Sequence, residues 1–310
     1  MTAAHPIPRT LYKYVSDLNA VKSILSGQIK FASFYELNDA TEAATVGDDQ
    51  AIQKDLWEIQ HSGLTDAQFK KLMIINKYLT EANLADKFPF NAIDGANDYI
   101  RQSETKNVKK ILVNLSNNLK GILDPDETHS LHYLCLSERY DSLPMWAHYA
   151  KRGTGFVVVF SNLEQLFPSP EPWEFDGLHR VRYQKPRPPI TFDPFTLENL
   201  FLTKTIDWQY EQEVRVVKPA EDLEKFTATE NPRFPMKYLK FDAKFVSGVI
   251  CGYQYNFDEF KEIRTDLTLT SKELYVSRSK IFVPRAELIV SRAVLQNDGQ
   301  IHLNTDGHSE

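Results

Sequence analysis

Cysteine is almost missing from this chain. Cys135 and Cys251 are the only two in 310 residues. Each sits in an apolar, strand-like run, which argues against a disulfide framework or a cysteine zinc site and fits two buried free thiols. Long hydrophobic runs are missing too. A membrane span needs about 18 to 20 apolar residues, and no window approaches that. Met1-Thr-Ala-Ala-His-Pro6 lacks the apolar centre of a signal peptide. The expectation is a cytoplasmic protein with no membrane partner. Positive charge is not in excess either: 36 Lys and Arg stand against 42 Asp and Glu, a net charge of -6. That balance argues against broad, nonspecific attraction to nucleic acid or anionic lipid. The local exception is Arg180-Val-Arg-Tyr-Gln-Lys-Pro-Arg187, which also reads as a solvated strand end.

Several catalytic signatures are absent. There is no glycine-rich phosphate loop followed by Lys-Ser or Lys-Thr, no Gly-x-Gly-x-x-Gly and no Gly-x-Ser-x-Gly. P-loop nucleotide hydrolysis and serine hydrolysis are therefore not expected. His129 and His132 are close in sequence but have no third ligand of the right kind nearby, so no metal is expected.

What is present is an ordinary globular composition, 42% hydrophobic and 25% charged. Leu11 to Val15 alternates like a strand, Leu18 to Leu25 has helical spacing with Gly27 as a stop, and Ile29 to Ser33 reads as a second strand. From about residue 49 the apolar residues recur at threes and fours, as in Leu56, Ile59, Phe69 and Leu72, then Val108, Ile111, Leu112 and Leu115. Beyond Tyr133 strands dominate: Tyr133 to Ser137, Gly155 to Phe160, Leu178 to Tyr183, Glu213 to Val217, Val246 to Cys251 and Leu274 to Ser279, with one helix at Asp258 to Thr265. The expected fold is α+β, a mixed or antiparallel sheet core carrying a helical insertion. Residues 1–48 form the first part of the core, 49–128 the insertion, 129–296 the strand-rich remainder and 297–310 a polar tail.

Two segments concentrate functional side chains. In Trp208-Gln-Tyr-Glu-Gln-Glu-Val-Arg-Val-Val-Lys-Pro219, Glu211 and Glu213 are expected to open a strand that the proline closes. Strand alternation puts Glu211, Glu213 and Arg215 on one face, with Val214 and Val216 turned to the core. The same pattern describes a solvated face carrying a Glu-Arg pair. In Leu134-Cys-Leu-Ser-Glu-Arg-Tyr-Asp-Ser-Leu-Pro-Met-Trp-Ala-His-Tyr-Ala150, a strand leads through a turn to a short helix bearing Trp146, His148 and Tyr149. Those aromatics either form a flat surface for a ring-bearing ligand or anchor the core. Asn38 and Asp39 read as a turn or helix-cap pair, or as part of a cleft mouth.

These segments, with Leu11-Tyr-Lys-Tyr14, Phe34-Tyr-Glu-Leu-Asn-Asp39 and Lys204, resemble the bacterial domain-of-unknown-function family 2971, in order from about Leu11 to Gly252. The family commonly has Phe-Asn-Asp-Pro where this chain has Leu37-Asn-Asp-Ala40. Glu211-Gln-Glu-Val-Arg-Val-Val-Lys-Pro219 is in addition similar to the Glu-x-Glu strand of ADP-ribosyltransferases. Tyr12 or Lys13, Ser137 and Glu213 follow the order in which those enzymes place a basic or histidine residue, a serine strand and the catalytic glutamate.

That second resemblance implies an ADP-ribosyltransferase-like core with NAD as substrate. Glu213 would stabilise the oxocarbenium-like ribose and Glu211 would orient or deprotonate the acceptor. Ser137 would hold the ribose or the Glu213 side chain. Tyr149 or Trp146, beside His148, would stack on nicotinamide, and Lys13 or Arg139, near Tyr12, would meet the pyrophosphate. The acceptor would be an unidentified protein or nucleic acid, as for a toxin or phage-defence effector. The alternatives are a noncatalytic nucleotide- or partner-binding module and a metal-dependent nuclease in which Asp39 or Asp141 joins the glutamates.

Overall fold

The computed structural model describes residues 6–33, 36–37, 61–66, 131–168, 177–185, 201–225, 236–256, 258–267 and 288–304, with isolated positions between 54 and 98. Most of the expected insertion, Asn38 and Asp39, and the expected strand at Leu274 to Ser279 lie outside the described residues.

The chain opens with strand β1 (Thr10–Val15), helix α1 (Leu18–Leu25) and strand β2 (Gln28–Ser33). Local chemistry accounts for the helix. The Asp17 side chain accepts from Ala20 N at 2.9 Å and caps its start. Val21, Ile24 and Leu25 form its buried face, and Gly27, at φ 83°, lets the backbone leave it in a left-handed conformation. The expected strand, helix and strand are all found here.

The remaining strands are β3 (Leu131–Ser137), β4 (Phe156–Ser161), β5 (His179–Arg180), β6 (Arg182–Tyr183), β7 (Thr203–Lys204), β8 (Glu213–Pro219), β9 (Glu224–Lys225), β10 (Lys237–Lys240), β11 (Val246–Cys251), β12 (Ile289–Leu295) and β13 (Ile301–Asn304). Helix α2 (Leu143–Tyr149) follows β3, and α3 spans 258–267. Among the described residues, eleven strands form one sheet, ordered β13-β12-β11-β4-β1-β3-β2-β10-β9, with β8 paired to β3 and β5 paired to β8. Every pairing in this sheet is antiparallel except β11 with β12. The fold is α+β with a mixed, mostly antiparallel open sheet.

The two faces of the sheet bury different cores. One packs Leu11, Val21, Ile24, Phe31, Val158 and Phe260 with α1 and α3; the other packs Tyr14, Met145, Trp146, Val157, Ile250 and Ala293 with α2. Alternation along β4 explains the division: Phe156, Val158 and Phe160 face the first core, and Val157 faces the second. Each fully buried side chain of this size contributes about 1.5–3 kcal/mol.

Three expectations change. The stretch Leu178 to Tyr183 is two strands, not one, because β5 pairs with β8 whereas β6 pairs with β7 in a separate two-stranded sheet. Buried Val181 marks the switch, its N–H donating to Glu213 O at 2.9 Å. Within the expected polar tail, Ile301–Asn304 is a sheet strand and Ile301 is buried against the second core. Glu211 does not belong to a strand: it ends the 3-10 helix Ile206–Glu211, Gln212 turns through a left-handed conformation at φ 42°, and β8 begins only at Glu213.

Strand β3 is where the sheet forks. On one side it pairs with β8 along its whole length, from Leu131↔Pro219 to Ser137↔Glu213. On the other it meets β2 at its start, Tyr133↔Ala32, and β1 only at its end, Ser137↔Tyr12. The β1 and β2 strands thus diverge opposite Cys135, whose carbonyl accepts from the Lys13 ammonium at 3.0 Å.

Candidate functional site

A cleft of about 210 Å³ lies at this fork, walled by β1, β3, Glu36 and Leu37, α2 and the two glutamates. Tyr12, Lys13, Ser137, Tyr149, Glu211 and Glu213, all singled out from the sequence, line it.

The expected shared strand face is replaced by a bend that still brings the two carboxylates together. Ser137 Oγ, fully buried, donates to Glu211 O at 2.7 Å, and Glu138 N–H donates to Gln212 O at 3.0 Å. These bonds from β3 hold the left-handed Gln212, a conformation that costs a non-glycine residue about 1–2 kcal/mol. Because Ser137 Oγ also accepts from Arg139 N at 3.1 Å, its hydroxyl serves the bend. It does not hold the Glu213 side chain, which is one correction to the sequence reading.

Lys204 organises the floor. It is 3% exposed, with Nζ 2.6 Å from Glu211 Oε2 and 2.9 Å from Glu213 Oε2. The short strand β7 delivers it, and the ammonium also lies over the Trp208 ring, 5.5 Å from the centroid. Its sequence signal was weak: a lone lysine in the apolar run Phe201-Leu-Thr-Lys-Thr-Ile206, seven residues before Glu211. A buried cation must be paired, and that rule was the available clue.

The two carboxylates have different surroundings. Arg215, with no exposed surface, donates from Nε to Glu213 Oε1 at 2.7 Å and from Nη2 to Oε2 at 3.0 Å. Its Nη1 donates to Phe201 O at 2.7 Å. Burial alone would raise the Glu213 pKa, but Arg215 and Lys204 together outweigh it and hold the carboxyl well below the ordinary glutamate range. Glu211 receives no such fork. Burial and the neighbouring Glu213 charge push its pKa up, against Lys204 and a hydrogen bond from Tyr149, whose hydroxyl donates to Oε1 at 2.5 Å. The environments of the two carboxylates around one ammonium thereby push their pKa values apart, Glu213 down and Glu211 up.

Other expected ligands stand elsewhere. Trp146 has no exposed surface: α2 turns it into the second core, where it meets Tyr14 edge-on and donates from Nε1 to Tyr140 O at 2.6 Å. It cannot stack on a ligand. His148, exposed on the next face of α2, stacks on Tyr210 with ring centroids 6.2 Å apart, outside the cleft lining. Arg139 is paired with Asp141 at 2.8 Å and does not line the cleft either. Cys135 does line it, and burial, together with Glu213, pushes its thiol up to about 12, a poor nucleophile.

The polar constellation comes chiefly from α2, β7 and the bend before β8. Residues 145–216 match the family model Protein of unknown function (DUF2971). No curated protein and no solved structure matches the chain. The DUF2971 segment contains Tyr149, Lys204, Glu211, Glu213 and Arg215, and lies within the stretch whose motifs resemble that family. Tyr12, Lys13, Cys135 and Ser137 are supplied from before it. Among the described residues, no group of three or more His, Cys, Asp or Glu side chains could hold a metal ion, and no helix is long and apolar enough to cross a membrane.

Proposed function

We propose that the cleft is the catalytic site of an ADP-ribosyltransferase-like enzyme. It would break the nicotinamide–ribose bond of NAD and pass ADP-ribose to a macromolecule or to water. The observation carrying this reading is the convergence, at the fork of the sheet, of β1 with Tyr12 and Lys13, β3, and a buried glutamate pair with contrasting environments.

The geometry revises the division of labour. A carboxylate that stabilises an oxocarbenium-like ribose needs uncompensated negative potential where charge develops. Glu213 is gripped by Arg215 and touched by Lys204, so its charge is already balanced. Glu211 shares only Lys204 and faces Tyr149, so Glu211 is assigned as the working carboxylate and Glu213 as its anchor. Lys13 is the cation placed to meet a phosphate. Modification of a macromolecule would suit a toxin or phage-defence effector, by analogy with how such chemistry is used.

The test is release of nicotinamide from NAD, with and without cell lysate, by the wild type and by Glu211→Gln. Release that disappears in the variant supports the reading, and no release by folded wild type overturns it. One observation favours a second reading, a noncatalytic nucleotide-binding module: the bidentate Arg215 grip makes half of the acidic pair structural. Calorimetric NAD binding without turnover would select that alternative.

A further inference from the structure

Glu211 is only 2% exposed, and its two oxygens are occupied by Tyr149 and Lys204. A substrate entering the cleft therefore meets the half-buried Tyr149 before it meets the carboxylate. The geometry points to a proton relay in which Tyr149 takes the proton of the acceptor nucleophile while passing its own proton to Glu211, with Lys204 fixing the carboxylate from behind. This rests on the proposed catalytic reading of the cleft.

Three observations build it. The Tyr149 hydroxyl donates to Glu211 Oε1 at 2.5 Å, so the proton to be passed on already points at its destination. Lys204 Nζ, 2.6 Å from Oε2, holds the carboxylate by its other oxygen, and Ser137 holds the Glu211 backbone at 2.7 Å. Tyr149 is the last residue of α2, which is anchored by buried Met145 and Trp146, so its ring is set by a packed element. A nucleophile, a base in hydrogen-bond reach and a third group orienting the base is the general form of an activated hydroxyl.

The step balances. As the acceptor oxygen bonds to the ribose carbon and the nicotinamide bond breaks, the acceptor O–H proton goes to the Tyr149 oxygen. The Tyr149 proton goes to Glu211 Oε1, and nicotinamide leaves with the bonding electron pair. Lys204 keeps its protons throughout. Tyr149 is then a catalytic residue touching the acceptor, and Lys204 a positioning residue.

The relay can be tested without NAD. N-Acetylimidazole acetylates a tyrosine oxygen only as that oxygen gives up its proton, which is the transfer proposed. Tyr12 lines the same cleft and serves as the internal reference. In wild type, acetylation of Tyr149, located by peptide mass, is expected to outpace that of Tyr12. In Glu211→Gln the Tyr149 rate should fall about a hundred-fold, the scale of a lost general base, with Tyr12 unchanged. In the unsubstituted protein the ratio of Tyr149 to Tyr12 acetylation should rise with pH as Glu211 ionises, which reads the relay even if the variant misfolds. An unmodified Tyr149, or a Tyr149 rate insensitive to both Glu211→Gln and pH, overturns the relay. Nicotinamide release measured in parallel judges the NAD reading separately. If release occurs, Tyr149→Phe, Glu211→Gln and the double variant should lose about the same activity, because members of one relay are not additive; additive losses overturn the relay and leave the NAD reading standing.

Discussion

Arg215 holds Glu213 from two positions further along the same strand, Nε to Oε1 at 2.7 Å and Nη2 to Oε2 at 3.0 Å, with the guanidinium wholly out of solvent. Strand alternation puts the two side chains on one face, and burial turns that proximity into a structural clamp. Removing one partner leaves the other charged in the interior without its bidentate mate, Glu213 keeping only Lys204 and Arg215 its bond to Phe201 O. Arg215→Met and Glu213→Gln are each expected to lower unfolding free energy by about 3–5 kcal/mol, read by urea denaturation. A loss below about 1 kcal/mol in both would show that the clamp is not structural.

Acid should loosen the same contact. The Glu213 carboxyl is held below its ordinary value, so in acid the unfolded state binds the proton first. Its contribution is complete above the unfolded glutamate pKa and is lost as pH falls through that value towards the folded one. Glu211 works the other way, since its raised pKa favours the protonated fold and costs stability as pH rises above the unfolded value. Melting temperature measured between about pH 7 and pH 3 should fall less steeply in Glu213→Gln than in wild type. Parallel slopes would remove Glu213 from the acid response.

Three glycines separate steric need from backbone need. A Cβ at Gly252 would lie 2.1 Å from Gly153 O, and one at Gly155 would lie 2.5 Å from Val15 O, both rigid backbone atoms. Gly299, at φ +81°, has nothing within 4 Å of that Cβ position. Gly155→Ala and Gly252→Ala should therefore destabilise by more than about 3 kcal/mol or prevent folding, the scale of severe overpacking. Gly299→Ala should cost only about 1 kcal/mol for its left-handed backbone. Thermal melts of the three variants give the ranking, and equal losses would contradict it.

Neither thiol should react readily. Burial pushes both Cys135 and Cys251 up to about 12, with Glu213 adding to the shift at Cys135. Iodoacetamide at pH 8 is expected to leave both unlabelled in folded protein and to label both in urea. If one does react, it should be Cys135, which lines the cleft, ahead of the buried Cys251. Rapid labelling of native Cys251 would contradict its placement.

Local patterns were the legible part of the sequence. Alternation gave Leu11 to Val15, an apolar run gave Val246 to Cys251, and helical spacing with Gly27 as its stop framed α1, because those elements follow from neighbours a few residues apart. The bend before β8 was not legible. Gln212 carries no glycine-like mark, and the partners holding its turn, Ser137 and Glu138, lie more than seventy residues away in sequence. Aromatic residues on α2 were found, but their orientation was not: packing against Tyr14 decides that Trp146 is core, leaving Tyr149 at the cleft. Lys204 was visible as a motif residue without a role, since its role depends on two carboxylates that only the folded chain brings to it.

The adjoining register of β2 and β3 carries a wider implication. Ser33, the last residue of β2, pairs with His132 of β3, directly across the ladder. The two positions are thereby neighbours in space, as the ends of a hairpin would be. Loop-closure entropy grows only logarithmically with length, so these two positions can be joined by a segment of almost any size at little cost to the sheet. Glu36 and Leu37, shortly after Ser33 in sequence, line the cleft. Lengthening or shortening the chain between these two positions is therefore expected to leave Tyr149, Lys204 and the glutamates undisturbed.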